Sequence, residues 1–351
     1  MRFVSVRNLS LLAFILLLSW EAWKAVITTE LRHRAIRRIT EAFEASAKFD
    51  EKLLTNEYLV TENSVDVEYA AVQRLRKKVL KTGCHQRKVE DVYPLNTDFN
   101  KGINPSAFRN ILVSDKHQLL YCITPKVACT NWKRVLLVLD GYFTDPNNIT
   151  ASLAHDFNQG YFRRLSDYTP DEINLRLSTY YKFLFARHPF ERLTAAYRNK
   201  FIYQNTQNKF FSVIFGQFIR RKYRHHNSTT TKKSSVTFAE FVQYIVDSPL
   251  EDKEFWNEHW ERIERLCLPC LIQYDFIGKF ETLKQDADFL LRTLDVNDLV
   301  KFPDGYKGHA SSTPSLMRNL FESLPKRLLE KLYELYKMDF MLFGYQNGFE
   351  S

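Results

Sequence analysis

Three short apolar runs, each ended by a proline or glycine and followed by a helix-like stretch, constrain this chain more than any other feature. Gln118–Thr124 (QLLYCIT) stops at Pro125 and leads into Asn131–Leu139. Tyr180–Ala186 (YYKFLFA) leads through Pro189 into PFERLTAAYRNKF. Leu271–Ile277 (LIQYDFI) breaks at Gly278 and leads into Glu281–Leu294, where Leu283, Ala287, Leu290, Leu291 and Leu294 form one apolar face. Runs of this kind read as strands buried on both sides. Their alternation with helices predicts a three-layer α/β body with a mainly parallel central sheet. In such sheets ligands sit at the carboxyl ends of strands, where helices begin. With 45% hydrophobic and 26% charged residues, a wholly disordered chain is excluded, and 10 glycines in 351 residues exclude collagen.

Ahead of this body lies a different kind of sequence. Leu9–Trp20 (LSLLAFILLLSW) is apolar but for two serines, and Trp23 and Val26 extend it toward bilayer length. Arg2 and Arg7 precede it, and no small-x-small pattern follows it. A signal anchor fits this better than a cleaved peptide, with the tryptophans at the membrane interface. The expected organisation is a cytosolic tail over 1–8, an anchor over 9–27, a partly helical stem over 28–105 and a luminal body over 106–351. An ordinary N-terminal helix pair is the plainer reading of the stem. Asn148-Ile149-Thr150 and Asn227-Ser228-Thr229 are glycosylation sequons in polar stretches, as a luminal body allows.

Two strand-to-helix junctions carry cations. In Pro125-Lys126-Val127-Ala128-Cys129-Thr130-Asn131 a lysine and small residues precede a helix whose first N–H groups and dipole favour an anion, with Thr130 as a further donor. The glycine pattern of nucleoside triphosphatases is missing, and no magnesium or other metal site is predicted. In Arg187-His188-Pro189-Phe190-Glu191-Arg192-Leu193, proline stands at a helix start and Arg187 at a strand end, where its fork suits a second phosphate. A solvated lysine, and arginines paired with carboxylates, are the plainer readings. Together the junctions suit a ligand with two separated anionic groups, and the net charge of +9 agrees with an anionic partner.

PKVACTNWKR (125–134) with RHPFERLTAAYRNKF (187–201) closely resembles the 5′-phosphosulfate and 3′-phosphate motifs of Golgi carbohydrate sulfotransferases. The branch it resembles contains the chondroitin and dermatan 4-O-sulfotransferases and their N-acetylgalactosamine relatives. NEHWERIERLCLPCLIQYDFIGKFETL (257–283) is similar to that branch's downstream block, and the likeness runs from about 110 to 346. The resemblance implies a P-loop-like domain that takes 3′-phosphoadenosine 5′-phosphosulfate (PAPS) as sulfuryl donor. Pro125, Lys126, Val127, Ala128, Cys129, Thr130 and Asn131 would wrap the phosphosulfate. Arg187, His188, Pro189, Phe190, Glu191, Arg192, Leu193, Thr194 and Ala195 would hold the 3′-phosphate. One departure is Ala195, where the family usually has serine; Ala195→Ser should tighten nucleotide binding by about 1–2 kcal/mol, and unchanged affinity in a binding assay would refute this.

In-line transfer needs a cation at the leaving phosphate, here Lys126, and a base at the acceptor hydroxyl. His155 is the first candidate base and His259 the second. The acceptor expected is the 4-hydroxyl of N-acetylgalactosamine in chondroitin. Dermatan, a terminal N-acetylgalactosamine of glycoproteins, and a weakened glycan-binding homologue are the alternatives. Arg220–His226 with Lys232 and Lys233 reads either as a solvated loop or as a track for a polyanionic glycan. Nucleic acid is not expected, given a luminal address at the Golgi membrane. Of Cys84, Cys122, Cys129, Cys267 and Cys270, Cys129 is expected free, and the pairing of the others stays open.

Overall fold

A computed structural model describes residues 62–86, 104–203, 209–224, 235–248, 257–303 and 313–346. The sheet has five strands, β1 (Ile111–Ser114), β2 (Leu119–Cys122), β3 (Arg163–Arg164), β4 (Tyr181–Ala186) and β5 (Phe276–Lys279), in the order β3-β1-β2-β4-β5. β2 pairs parallel with β4, and β4 with β5. β1, however, is antiparallel to both β2 and β3. The mainly parallel sheet expected from the sequence is therefore corrected to a mixed one. Only the turn Asp115–Gln118 separates β1 from β2, too short for the crossover that parallel pairing requires.

The predicted strands shrink for local reasons. The last run loses Leu271–Asp275, because Leu271 and Ile272 donate back to Leu268 in a turn, and pairing begins only where Asp275 N–H meets the Lys182 carbonyl. Strand β4 shows why both faces must be covered. Leu184 and Ala186 enter one core and Phe183 and Phe185 the other, as alternation across a pleated strand demands. The Phe183 side packs on α2 (Cys129–Leu139), which follows β2, and on α8 (Leu283–Thr293), which follows β5. The Leu184 side packs on α3 (Pro170–Thr179), α4 (Pro189–Tyr197), α6 (Phe238–Asp247), α7 (Ile263–Cys267), α9 (Thr313–Glu322) and α10 (Lys326–Leu342). The three-layer arrangement thus holds, with parallel pairing confined to the β2-β4-β5 half.

Helix α1 (Glu62–Gln86), within the segment read as stem, lies against α10 and β5. Arg76 Nη1 donates to both Asp286 oxygens at 2.8 and 2.9 Å and to the Ile277 carbonyl at 3.0 Å. Gln73 both donates to and accepts from the Ile277 backbone. Gly83, within this helix, allows close packing on α10, since a Cβ there would come 3.0 Å from Leu342 Cδ2. A disulfide joins Cys84 to Cys270, a second joins Cys122 to Cys267, and Cys129 is free and buried. No helix among the described residues is long and apolar enough to cross a membrane; the anchor expected over 9–27 lies outside them.

Gly278 tests how closely β4 and β5 approach. A Cβ there would lie 2.2 Å from Phe185 Cε1 and 2.4 Å from its Cδ1. Phe185 is fully buried, with Trp132 4.8 Å and Phe276 5.8 Å from its ring, so it has nowhere to move. Gly278→Ala should cost about 1–3 kcal/mol by overpacking. Thermal denaturation measures this, and a melting point within a degree of the parent would contradict it.

Candidate active site

Because β2 and β4 are parallel neighbours, the segments leaving their carboxyl ends meet at one sheet edge. Arg187 Nη1 donates to the Lys126 carbonyl at 3.2 Å, so both sequence-predicted junctions form one pocket wall. The turn before α2 is unusual. Lys126 has φ 70° and Ala128 φ 56°, left-handed conformations that cost roughly 1–3 kcal/mol outside glycine. No side chain caps α2, and a helix leaves its first N–H groups without intrahelical partners. A strained turn opening onto an uncapped helix start is a cradle for an anion.

The cations here repel one another. Burial pulls the Lys126 ammonium down to about 8, and Lys200, Arg187 and Arg198 push it the same way. Burial likewise lowers Lys200 and Lys133. Lys200 sits in a π-helical turn, Arg198–Ile202, with Nζ 4.0 Å from the centre of the Phe211 ring. His259 meets the same ring edge-on at 5.5 Å. The sequence reading passed over Lys200 and Lys133. Lys133 had a signal, since it follows Thr130 by three residues on a helix and so shares its face.

His155 joins this cluster from the end of the short helix Ala151–Ala154. Its Nε2 lies 2.9 Å from Thr130 Oγ1 and its Nδ1 3.2 Å from Lys133 Nζ. An ammonium only donates, so Nδ1 accepts and the neutral ring carries its proton on Nε2, toward Thr130. Loss of hydration in the cleft, then Lys133, Lys200, Arg134 and Lys126, hold this imidazole down at about 4. Solvent still reaches the residue, so repulsion by the four cations sustains the downward direction. His259 is driven well below its ordinary value by burial, then by Lys200, Lys126 and Arg192. Its Nδ1 is 2.6 Å from Asn257 Oδ1, which can only accept, so the ring's other nitrogen carries the lone pair.

The 187–195 segment divides in two. Arg187 is buried beneath the pocket, its Nη2 3.0 Å from Glu191 Oε2 and its guanidinium 4.1 Å over the Phe280 ring. By contrast, His188 is fully buried with ring contacts to Phe340 and Tyr345, and Phe190 and Leu193 belong to the core. Arg192, assigned to the 3′-phosphate by resemblance, donates instead to the carbonyls of Pro125, Glu261 and Glu258 at 2.9, 2.5 and 2.8 Å. It ties the turn after β2 to the loop carrying His259 and is only 2% exposed. Thr194 is fully buried and Ala195 5% exposed, and Pro189 is buried too. In the first junction Val127 is fully buried, while Asn131 Oδ1 accepts from Arg134 at 3.1 Å. The side chains left for an anion are Lys126, Thr130, Arg187 and, newly, Lys133 and Lys200.

Outside the pocket, Asn148 is exposed, as a glycan requires; Asn227 lies outside the described residues. Of the basic run, Arg224 is held by Glu240 at 2.8 Å, and Arg221 and Lys222 are exposed on α5 (Gln217–Tyr223). His225, His226, Lys232 and Lys233 are outside the described residues.

The profile described as Sulfotransferase family matches residues 109–346. The chain is 40% identical over 246 residues to Carbohydrate sulfotransferase 11 of Rattus norvegicus, covering 69% of each chain. It is 38% identical over 288 residues to Carbohydrate sulfotransferase 14 of Danio rerio, covering 81% of this chain and 74% of that one. With Carbohydrate sulfotransferase 8 of Mus musculus the identity is 35% over 284 residues, 80% of this chain and 65% of the other. No solved structure gives a significant match.

Proposed function

Since the chain belongs to the sulfotransferase family, we propose that it moves a sulfuryl group from PAPS to the 4-hydroxyl of N-acetylgalactosamine in chondroitin-type glycosaminoglycan. The observation that carries this reading is the Arg187–Lys126 contact at the shared edge of β2 and β4. It sets two cationic junctions side by side for a ligand with two anionic ends. The residues fit that ligand in charge, because mutually repelling cations and an uncapped helix start are relieved by an anion.

When bound, PAPS supplies the sulfuryl group. Lys126 and the first N–H groups of α2 neutralise charge that builds on the leaving phosphate. Thr130 is a donor to the same end, and Arg187 supplies the fork for the 3′-phosphate. His155 is read as the base. It is neutral at working pH, and anions on the surrounding cations restore its basicity, so it is strongest when the donor is in place. In this tautomer the lone pair is on Nδ1, so His155 takes a proton there once Lys133 turns to an anion, or on Nε2 after the ring proton has moved to Nδ1. His259 is the second reading, favoured by the orientation that Asn257 gives its Nδ1.

Removing the true base should lower kcat by about 10²–10⁴-fold. Near-normal turnover in His155→Ala moves the assignment to His259. Because both imidazoles are held below the ordinary range in the free protein, kcat/KM should show no loss from histidine protonation between pH 7 and 6. A limb near 6.5 that vanishes in His155→Ala would contradict this.

Lys133, Lys200 and Arg134 around His155, with Arg164 acting on Lys133, support an anionic acceptor chain. The two disulfides support an oxidising lumen, and with the anchor over 9–27 we read a type II Golgi membrane protein. Assaying sulfate transfer to desulfated chondroitin, to dermatan and to a terminal N-acetylgalactosamine acceptor tests the proposal. Preference for either of the last two replaces the acceptor. Transfer to none, with glycan binding retained, favours the weakened homologue suggested by Ala195.

A further inference from the structure

Glu191 is the most incongruous group in the pocket. It is 1% exposed, one carboxylate oxygen is held by Arg187 at 3.0 Å, and the other, Oε1, is buried without a hydrogen-bond partner. A buried charged oxygen with no donor is costly, and in a native structure it calls for an explanation. A second carboxylate, Glu281, faces the same guanidinium. Its oxygens are already engaged, Oε1 by the His188 N–H at 2.9 Å and Oε2 by the Tyr345 hydroxyl at 2.9 Å. An arriving phosphate would therefore meet two carboxylates around one arginine, and only Glu191 has an oxygen left over.

Resting on the PAPS reading of this pocket, we propose that Glu191 binds the 3′-phosphate as the neutral acid. Binding then takes up one proton at Glu191, and the hydroxyl so formed donates to a phosphate oxygen. The proton comes from solvent or buffer, whose bond to it breaks as the Glu191 O–H bond forms, no other covalent bond changes, and the orphaned oxygen gains a partner. A neutral acid can donate where a carboxylate would repel. Alanine at 195 makes such a donor more necessary, since that side chain offers none.

The surroundings favour a proton. Burial pushes Glu191 up to about 7, against the pull of Arg187, with Glu281 adding to the rise and Arg198 opposing it. Across Arg187 lie Lys126 and Tyr345. Lys126 and the phosphate exchange protons on binding as well, so the Glu191 contribution must be read as a difference between two proteins.

The test is calorimetric titration of adenosine 3′,5′-bisphosphate into wild type and Glu191→Gln, at pH 6 and pH 8, in buffers of different ionisation enthalpy. Glutamine keeps the shape of the neutral acid and cannot ionise. One-proton linkage from a group near 7 predicts that wild type loses about tenfold in affinity between pH 6 and 8 through this group alone. Glu191→Gln should bind about as tightly as wild type at pH 6 and about tenfold more tightly at pH 8, with roughly one proton fewer taken up there. A gain in affinity is not what a damaged fold would give. Equal pH dependence in the two proteins, or weaker binding by the variant at pH 8, overturns the inference. Absence of nucleotide binding by wild type at both pH values instead rejects the donor reading beneath it.

Discussion

Lys126→Ala should abolish most sulfate transfer, lowering kcat by about 10²–10³-fold, the scale for removing one preorganised stabiliser of developing negative charge, without weakening the fold. The two halves of this expectation have the same cause. The Lys126 ammonium makes no hydrogen bond or ion pair among the described residues, and burial and three neighbouring cations already depress it to about 8. Its deletion removes repulsion, so the melting temperature should hold or rise while turnover collapses. Lys126→Arg should not rescue, because a planar fork cannot replace a compact point charge at a turn residue with φ 70°. In wild type, kcat/KM for the donor reports the free enzyme. It should fall as pH rises through about 8, where Lys126 loses the proton that makes it useful. Glu191 adds its own loss above 7, and in Glu191→Gln the limb belongs to Lys126 alone. Steady-state kinetics with a thermal melt of the same variant decides the matter. Activity and stability falling together would mean that Lys126 is structural.

Replacing Cys122 and Cys267 together by serine should lower stability by about 2–5 kcal/mol, the usual cost of a native disulfide in a secreted domain. Their sequence separation is 145 residues, so the bridge removes a large closed loop from the unfolded ensemble. For a body of this size each kcal/mol shifts the melting point by roughly 2–4 °C. The effect should reach function as well. Cys122 is the last residue of β2, and Pro125, three residues on, begins the donor turn. Cys267 closes α7 and also lies 3.5 Å from Thr124 Oγ1, one residue before that turn. Donor KM should therefore rise in the double variant at temperatures where it remains folded. A melting point unchanged by the substitutions, or by reductant in the parent, would show that the bridge contributes nothing.

The two junctions were legible in the sequence because each is local. Each junction is one strand end and the helix start that follows, and Lys126 and Arg187 fall where those rules put them. What escaped was non-local. Strand β1 is four residues and β3 two, too short for a periodic signal, and their antiparallel pairing made the sheet mixed. The cysteine partners depend on which loops meet, and so does the cluster that gathers His155, His259, Lys133 and Lys200 from separate segments. Arg192 misled in the opposite direction. A charged residue inside a phosphate motif looked like a ligand contact, yet three backbone carbonyls take its guanidinium into the core.

The central claim is that Lys126 and Arg187 hold opposite ends of one nucleotide. It is tested most directly by comparing adenosine 3′,5′-bisphosphate with adenosine 5′-monophosphate against wild type, Lys126→Ala and Arg187→Gln. Wild type should prefer the bisphosphate strongly. Arg187→Gln should lose that preference, while Lys126→Ala should weaken both ligands and keep it. If Arg187→Gln still discriminates as wild type does, or if wild type binds neither nucleotide, the two cations do not share a ligand and the account fails.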